Sequence, residues 1–188
     1  FSLVGKRAGL EDTRGTLFYH FARVIDECRP KVFIYENVRG LLNHDQGRTW
    51  KVVQDVFADL GYSINHSMLN SRHYGIPQNR ERIFVVGFKK PKTEFSFPEP
   101  VPLQLTMSDL LEDTTESRYF LKSKGIKFVT SSKNRSKRYT QINGSIALCQ
   151  KANQQYNWHG DFVYVNADSS EKIEFDEFIF SVADIEEK

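Results

Sequence analysis

The chain has 188 residues, of which 39% are hydrophobic and 27% charged, and its formal net charge is +2. That length supports one sizeable core, or a core with a smaller satellite domain, and the composition excludes a chain disordered throughout. No apolar run approaches the roughly 20 residues needed to span a bilayer, and nothing at the amino end resembles a secretory signal, so a cytoplasmic protein is the default expectation.

Residues 1–15, FSLVGKRAGLEDTRG, scatter charges and glycines without apolar periodicity and are predicted to form a loop. The chain opens on Phe1 rather than Met, so it is expected to be an internal part of a longer polypeptide. Leu17, Phe18, Phe21, Val24, Ile25 and Cys28 recur at three- and four-residue intervals, which predicts an amphipathic helix ended by Pro30. Val32 to Tyr35 are predicted to be a short buried strand, followed by a loop, ENVRGLLNHDQG. Trp50, Val53, Val56, Phe57 and Leu60 mark a second helix with Gly61 at its C-terminal cap. Tyr62, Ile64, His66 and Met68 alternate as a strand with one buried face; RHYGIPQNRER then turns the chain into an apolar strand, Ile83 to Phe88.

Helix, strand, helix, strand, strand is the second half of an open, twisted α/β sheet. Ligands bind such sheets beyond the carboxyl ends of the strands, which is where Glu36 and Asn37 fall. Glu36 can be a general acid, a ligand or an ordinary exposed carboxylate. If the strand beginning at Ile83 shares a sheet with Val32–Tyr35, Arg80 or Arg82 could reach Glu36 and hold it by charge-assisted hydrogen bonds. The plainer alternative is a surface pair worth little.

Residues 91–102 contain four of the six prolines and are predicted to be a linker. TMSDLL can begin a short helix, and residues 103–188 are expected to form part of a smaller, irregular, mainly β domain. From Arg118 to Arg138 there are eight Lys or Arg and no acid, and from Asp168 to Lys188 eight acids against two Lys. The basic run is either a solvated face or a phosphate-facing surface. Within it, SSKNRSKRYTQINGS joins Lys133, Arg135, Lys137 and Arg138 to small hydroxyl and amide side chains, which suits a loop following a DNA backbone. Trp158 is expected to pack and His159 to be a satisfied polar residue. Cys28 and Cys149 lie far apart in no metal-ligand spacing; they are expected to be reduced and structural, Cys28 on the apolar face of its helix, with no metal site.

Three stretches in order, FSLVGKRAGLEDTRGTLF, YENVRG and YGIPQNRERIFVVG, resemble the DNA cytosine-5 methyltransferases over roughly residues 1–90. The resemblance implies a restriction-modification type of enzyme with an S-adenosylmethionine-dependent, Rossmann-like methyltransferase fold. Residues 1–90 would be part of its catalytic domain and 103–188 part of its target-recognition domain. Such enzymes rotate a cytosine out of duplex DNA, attack its C6 with a cysteine thiolate and transfer a methyl group to C5. By the same resemblance Glu36 would contact the N3 edge of the base, Arg82 would hold its O2 and orient Glu36, Arg80 would support that side of the pocket, and Asn37 would fix the loop. Ser2, Val4, Lys6, Arg7 and Arg14 would belong to a loop closing over DNA, and Gly15, Thr16 and Leu17 to the lining of the cofactor pocket.

The family's Pro-Cys-Gln nucleophile and its earlier glycine-rich cofactor loop have no counterpart in these residues, nor do its later motifs, so the chain by itself is expected to be inactive. The partners implied are double-stranded DNA and a cognate restriction endonuclease, and the location a bacterial cytoplasm near the nucleoid. Two alternatives keep the motifs: a non-catalytic DNA-recognition subunit of a split enzyme, and methylation of tRNA.

Overall fold

The apolar spacing of residues 17–28 produces α1 (Thr16–Cys28), with Phe18, Ala22 and Ile25 turned inward. The computed structural model describes residues 16–89, 94–112, 116–150 and 158–164; the loop predicted for residues 1–15 and the acidic run from Asp168 lie outside them. Cys28 corrects its expected placement. It is exposed, as the last residue of α1, beyond Ile25, the last side chain of that helix to reach the core. Pro30 cannot continue the helix because it has no N–H to donate. Arg29 closes α1 in left-handed backbone at φ 46°, its N–H bonded to the Ile25 carbonyl and its guanidinium to Asp26.

The first strand, β1 (Val32–Val38), runs three residues past the predicted apolar stretch, so Glu36 and Asn37 lie inside it rather than in a following loop. The cause is pairing: Asn37 and Val38 find register partners in Ile83 and Arg82. The expected buried strand is in fact half-buried, with Phe33 and Tyr35 inside and Ile34 65% exposed. Past β1, the predicted loop holds a helical turn, α2 (Gly40–Asn43), and a 3-10 turn over His44–Gly47, because fully buried Leu41 anchors the segment to the core.

In α3 (Arg48–Asp59), Thr49, Val53 and Phe57 recur every four residues and are all buried. Its end is closed as the sequence predicts. Gly61 takes φ 84°, its N–H bonds the Ala58 carbonyl at 2.9 Å, and the Tyr62 N–H bonds the Phe57 carbonyl at 3.0 Å. Two further strands, β2 (Ser63–Asn70) and β3 (Glu81–Phe88), complete a sheet of order β1-β3-β2, with β3 antiparallel to both neighbours.

One face of this sheet carries the core. Phe57 lies 4.6 Å from the Phe33 ring, 5.6 Å from Phe18 and 5.8 Å from Tyr35, centroid to centroid, and Ile83 and Val85 of β3 close the floor. The predicted buried face of β2 is borne by Ile64 alone among its apolar residues. His66 and Met68 are exposed, because β2 is an outer strand that the helices cover only at its start; His66 instead meets Trp50 edge-on at 5.0 Å.

The chain divides into two compact units, the first holding residues up to Gly75 and Arg80–Pro102, the second Ile76–Asn79 and the residues from Leu103. Ile76–Asn79 join the second unit through backbone bonds from Asn79 N–H to the Ala147 carbonyl and from Ala147 N–H to the Pro77 carbonyl. Met107–Leu110, predicted to start a helix, make a single 3-10 turn capped by Thr106 and Asp109. Where short irregular or β segments are expected, residues 123–136 form two helices, α4 (Ser123–Thr130) and α5 (Ser132–Ser136). Burial of Gly125 and Val129 at helical spacing stabilises α4. The strands of this unit, β4 (Thr140–Ile142) and β5 (Gly160–Phe162), pair in parallel. Trp158 packs on Phe128, and His159 stacks between Tyr139 and Phe128. No helix among the described residues is long and apolar enough to cross a membrane.

Two substitutions gauge this core by urea denaturation. Phe57→Ala is expected to cost about 3–5 kcal/mol. Gly87→Ala places a Cβ 2.1 Å from the Phe33 ring and is expected to cost about 1–3 kcal/mol. Ile34→Ala, on the exposed face, should stay within about 0.5 kcal/mol.

Candidate active site

Strand register decides which side chains can meet. Glu36 stands opposite Phe84 and Val38 opposite Arg82, so Glu36 and Arg82 are diagonal neighbours on one face of the sheet. The Arg82 Nε donates to Glu36 Oε1 at 3.0 Å, and the Arg80 Nη2 lies 3.8 Å from the same oxygen. A second N–H of Arg82, on Nη1, donates to the Glu81 carbonyl at 2.8 Å. The Arg82 side chain is 16% exposed and that of Glu36 42%, so the guanidinium is held on the protein side while the carboxylate reaches solvent. Both arginines make their closest approach to Glu36 at Oε1.

Asn37 alternates to the opposite face and does not join this cluster. Its Nδ2 donates to the Tyr35 hydroxyl at 2.6 Å, and its Oδ1 accepts the Val38 N–H at 2.8 Å. The amide therefore pins the last turn of the pleat in β1, a strand end rather than the loop expected of it. Tyr35 sits in the aromatic core, and burial pushes its hydroxyl above the usual range; the bond from Asn37 offsets part of that rise and the Glu36 charge adds to it.

On the β3 side, buried Asn70 accepts the Arg80 N–H at 3.1 Å and the Arg72 N–H at 3.3 Å, fixing the backbone that aims Arg80. Neither Tyr35 nor Asn70 is singled out by the sequence. Tyr35 could have been found from its position two residues before Asn37, on the same face of a strand.

The remaining predicted residues fall elsewhere. Ser2, Val4, Lys6, Arg7, Arg14 and Gly15 lie outside the described residues. Thr16 begins α1, and Leu17 beside it exposes 65% of its surface. Lys133 and Arg135 are on α5, and Lys137 and Arg138 directly follow it; all four are exposed, in the second unit.

The profile of the family described as C-5 cytosine-specific DNA methylase matches residues 1–180. Type II methyltransferase M.HpaII of Haemophilus parainfluenzae is 45% identical over 140 residues, covering 72% of this chain and 39% of that protein. Type II methyltransferase M.HhaI of Haemophilus parahaemolyticus is 42% identical over 123 residues, covering 64% of this chain and 38% of that protein. The chain thus spans about two fifths of the length of these relatives. Among solved structures, a methyltransferase of Entamoeba histolytica superposes with a TM-score of 0.60 at 17% identity, over 81% of this chain and 47% of that one. The Dnmt2 methyltransferase of S. pombe gives 0.57 at 17% identity, over 89% and 54%. At such identities these two likenesses establish the fold, an α/β methyltransferase architecture, and no more.

The site's contribution to stability is small by this geometry. Glu36→Gln should cost no more than about 1 kcal/mol, because a solvent-reaching pair is screened. Tyr35→Phe, which removes a hydrogen bond, should cost about 0.5–1.5 kcal/mol. A raised tyrosine holds its proton longer in the folded chain, so its contribution is intact below about pH 10 and is lost as pH rises through the folded value. The fall in urea midpoint between about pH 9 and pH 11 should be smaller in Tyr35→Phe than in wild type. Tyr62, also raised by burial, keeps part of the fall; an identical fall in both proteins would show that Tyr35 does not carry it.

Proposed function

The chain belongs to the C-5 cytosine-specific DNA methylases, and on that premise we propose that it forms the base-holding and DNA-recognising part of a DNA (cytosine-5) methyltransferase. The enzyme would move a methyl group from S-adenosylmethionine to C5 of a cytosine rotated out of the duplex. The observation that carries this reading is the pair of Arg82 and Glu36, 3.0 Å apart on one sheet face with the carboxylate reaching solvent.

In this reading Glu36 meets the N3 edge of the base with its solvent-reaching carboxylate. A carboxyl there favours a proton on N3 as negative charge develops in a ring attacked at C6. Arg82 serves as the fixed donor that orients Glu36 and reaches the base O2, and Arg80 adds a second positive charge on the same side. Asn37 and Tyr35, behind the strand, keep Glu36 from turning away. The attacking thiolate comes from the segment that carries the family's Pro-Cys-Gln; exposed Cys28, at the end of a helix, and Cys149, in the second unit, lie in no such sequence.

S-adenosylmethionine, when bound, supplies the methyl group. Among the residues assigned to it, Leu17 presents an exposed apolar side chain at the start of α1, which fits contact with an apolar part of that molecule. Gly15 and Thr16 are assigned to the same lining by the resemblance. The first unit would be the catalytic portion, residues 91–102 a linker, and the second unit the target-recognition portion, with Lys133, Arg135, Lys137 and Arg138 on DNA phosphates and Lys6, Arg7 and Arg14 in the closing loop with Ser2 and Val4. The setting would be a bacterial cytoplasm, at the nucleoid, with a cognate restriction endonuclease as counterpart.

Joined to the segments that its relatives carry, or mixed with them in trans, the chain should support methyl transfer to duplex DNA, and residues 1–188 alone should not. In the joined protein Glu36→Gln should lower kcat by about 10²–10⁴ with DNA affinity nearly unchanged. Turnover within threefold of wild type would remove Glu36 from the chemistry, and transfer to tRNA without transfer to DNA would replace the substrate.

A further inference from the structure

The sheet face that carries Glu36 and Arg82 is the one turned away from α1 and α3, yet it is not uniformly open. Alternation along β3 turns Phe84, Val86 and Phe88 to this face. Val86 is 7% exposed and Ile34, its register partner on β1, 65% exposed, so the face is covered over β3 and open at β1. The proline-rich segment after β3 is anchored at both ends of that strand. At its far end the Phe95 ring lies 5.4 Å from Phe88 and 5.0 Å from Phe97, centroid to centroid. At its near end the Tyr74 hydroxyl donates to the Pro98 carbonyl at 3.1 Å, and the Val101 N–H donates to the His73 carbonyl at 2.8 Å. All of these residues belong to the first unit.

Pro98, Pro100 and Pro102 fix their own φ and carry no N–H, so this segment loses little backbone entropy by lying extended and brings few donors to satisfy. Extended chain from Phe95 to Val101 reaches about 20 Å, close to the rise of about 24 Å along β3. The near anchor bears on the site. His73 and Tyr74 close the turn after β2, the Tyr74 N–H bonding the Ser71 carbonyl at 3.0 Å. Ser71 and Asn70 in turn hold both backbone groups of Arg80. The Ser71 N–H donates to the Arg80 carbonyl at 3.2 Å, and buried Asn70 accepts the Arg80 N–H at 3.1 Å. Ladder pairing ends at Glu81 on the β2 side and at Arg82 on the β1 side, so Arg80 lies beyond both and its aim depends on this turn. A line of hydrogen bonds therefore runs from the Pro98 carbonyl through Tyr74 and Ser71 to Arg80, whose Nη2 lies 3.8 Å from Glu36.

We propose that residues 95–101 are a brace for the Glu36 face of the sheet, and that Tyr74 is the positioning residue through which the brace acts on Arg80. Over these residues the segment that joins the two units is a fixed strap, anchored by rings at one end and by two hydrogen bonds at the other. Tyr74 touches no reacting group; it sets the turn that holds the Arg80 backbone, and so where the second positive charge beside Glu36 lies. The proposal rests on the reading of Glu36 and its two arginines as base-holding.

The test is Tyr74→Phe, which deletes one hydroxyl and keeps the ring. In the joined protein it should lower kcat about two- to tenfold, with KM for duplex DNA within about twofold of wild type. In an Arg80→Ala background the same substitution should lower kcat no further, because the brace acts through that residue. In the 188-residue chain, hydrogen exchange should show a protected Val101 amide that exchanges faster in Tyr74→Phe. A lower Tm with kcat unchanged would reduce Tyr74 to a structural contact and overturn the proposal. Equal losses of kcat with and without Arg80 would also overturn it, as would a wild-type Val101 amide that exchanges at the rate of unstructured chain. Wild-type kcat in Arg80→Ala beside a protected Val101 amide would overturn the reading of Arg80 on which the proposal rests, leaving a strap without that role.

Discussion

The antiparallel pairing of β1 with β3 is the constraint on which the candidate site depends. With Val38 opposite Arg82, Glu36 and Arg82 share a face, and Tyr35 and Asn37 share the other with Ile83 and Val85. A slip of one residue would send Arg82 into the aromatic core and leave Glu36 without a partner. The register is held chiefly by burial on one face, where Phe33, Tyr35, Ile83 and Val85 must all point toward α1 and α3, with Val86 buried on the other. Apolar packing thereby fixes the position of a polar pair with which it makes no contact.

This division also separates stability from chemistry. The rings around Phe57 are buried, so their energetic weight lies in excluded water and close contacts. Glu36 lies on the opposite face, where its pairing with two arginines contributes little to folding. A carboxylate flanked by two guanidiniums repels no neighbour and is oriented without being buried, which suits a group that must meet a substrate. Asn37 and Asn70 act on the backbone from behind, one holding the end of β1 and the other the approach to β3. The two polar hinges of the site are thus amides, whose donors and acceptors do not change with pH.

In the second unit the polar residues are arranged differently. Gln141, Asp161 and the Leu148 N–H form a half-buried network joining the paired strands to the segment between them, and Thr140 bonds the Val129 carbonyl to hold β4 against α4. Desolvation raises the Asp161 carboxyl while its two hydrogen bonds oppose that rise. Beside this network Tyr139 and Phe128 both stack on His159.

The sequence by itself determined α1 and α3, the order of the main elements in the first unit, and the family. Helical periodicity in residues 17–28 and 50–60 is a local property, Gly61 answers a local backbone need, and the three motif stretches are contiguous. It also singled out Glu36, Arg80 and Arg82, although, lying in two separate strips of chain, they carry no information on the distance between them. What only the tertiary structure decided is pairing. β1 extends through Glu36 and Asn37 because a distant strand offers hydrogen-bond partners, and His66 and Met68 are exposed because β2 is an outer strand on which the core helices close over only the start. Alternation and spacing record what a residue does to its own backbone; which face is covered, and by what, depends on segments tens of residues away.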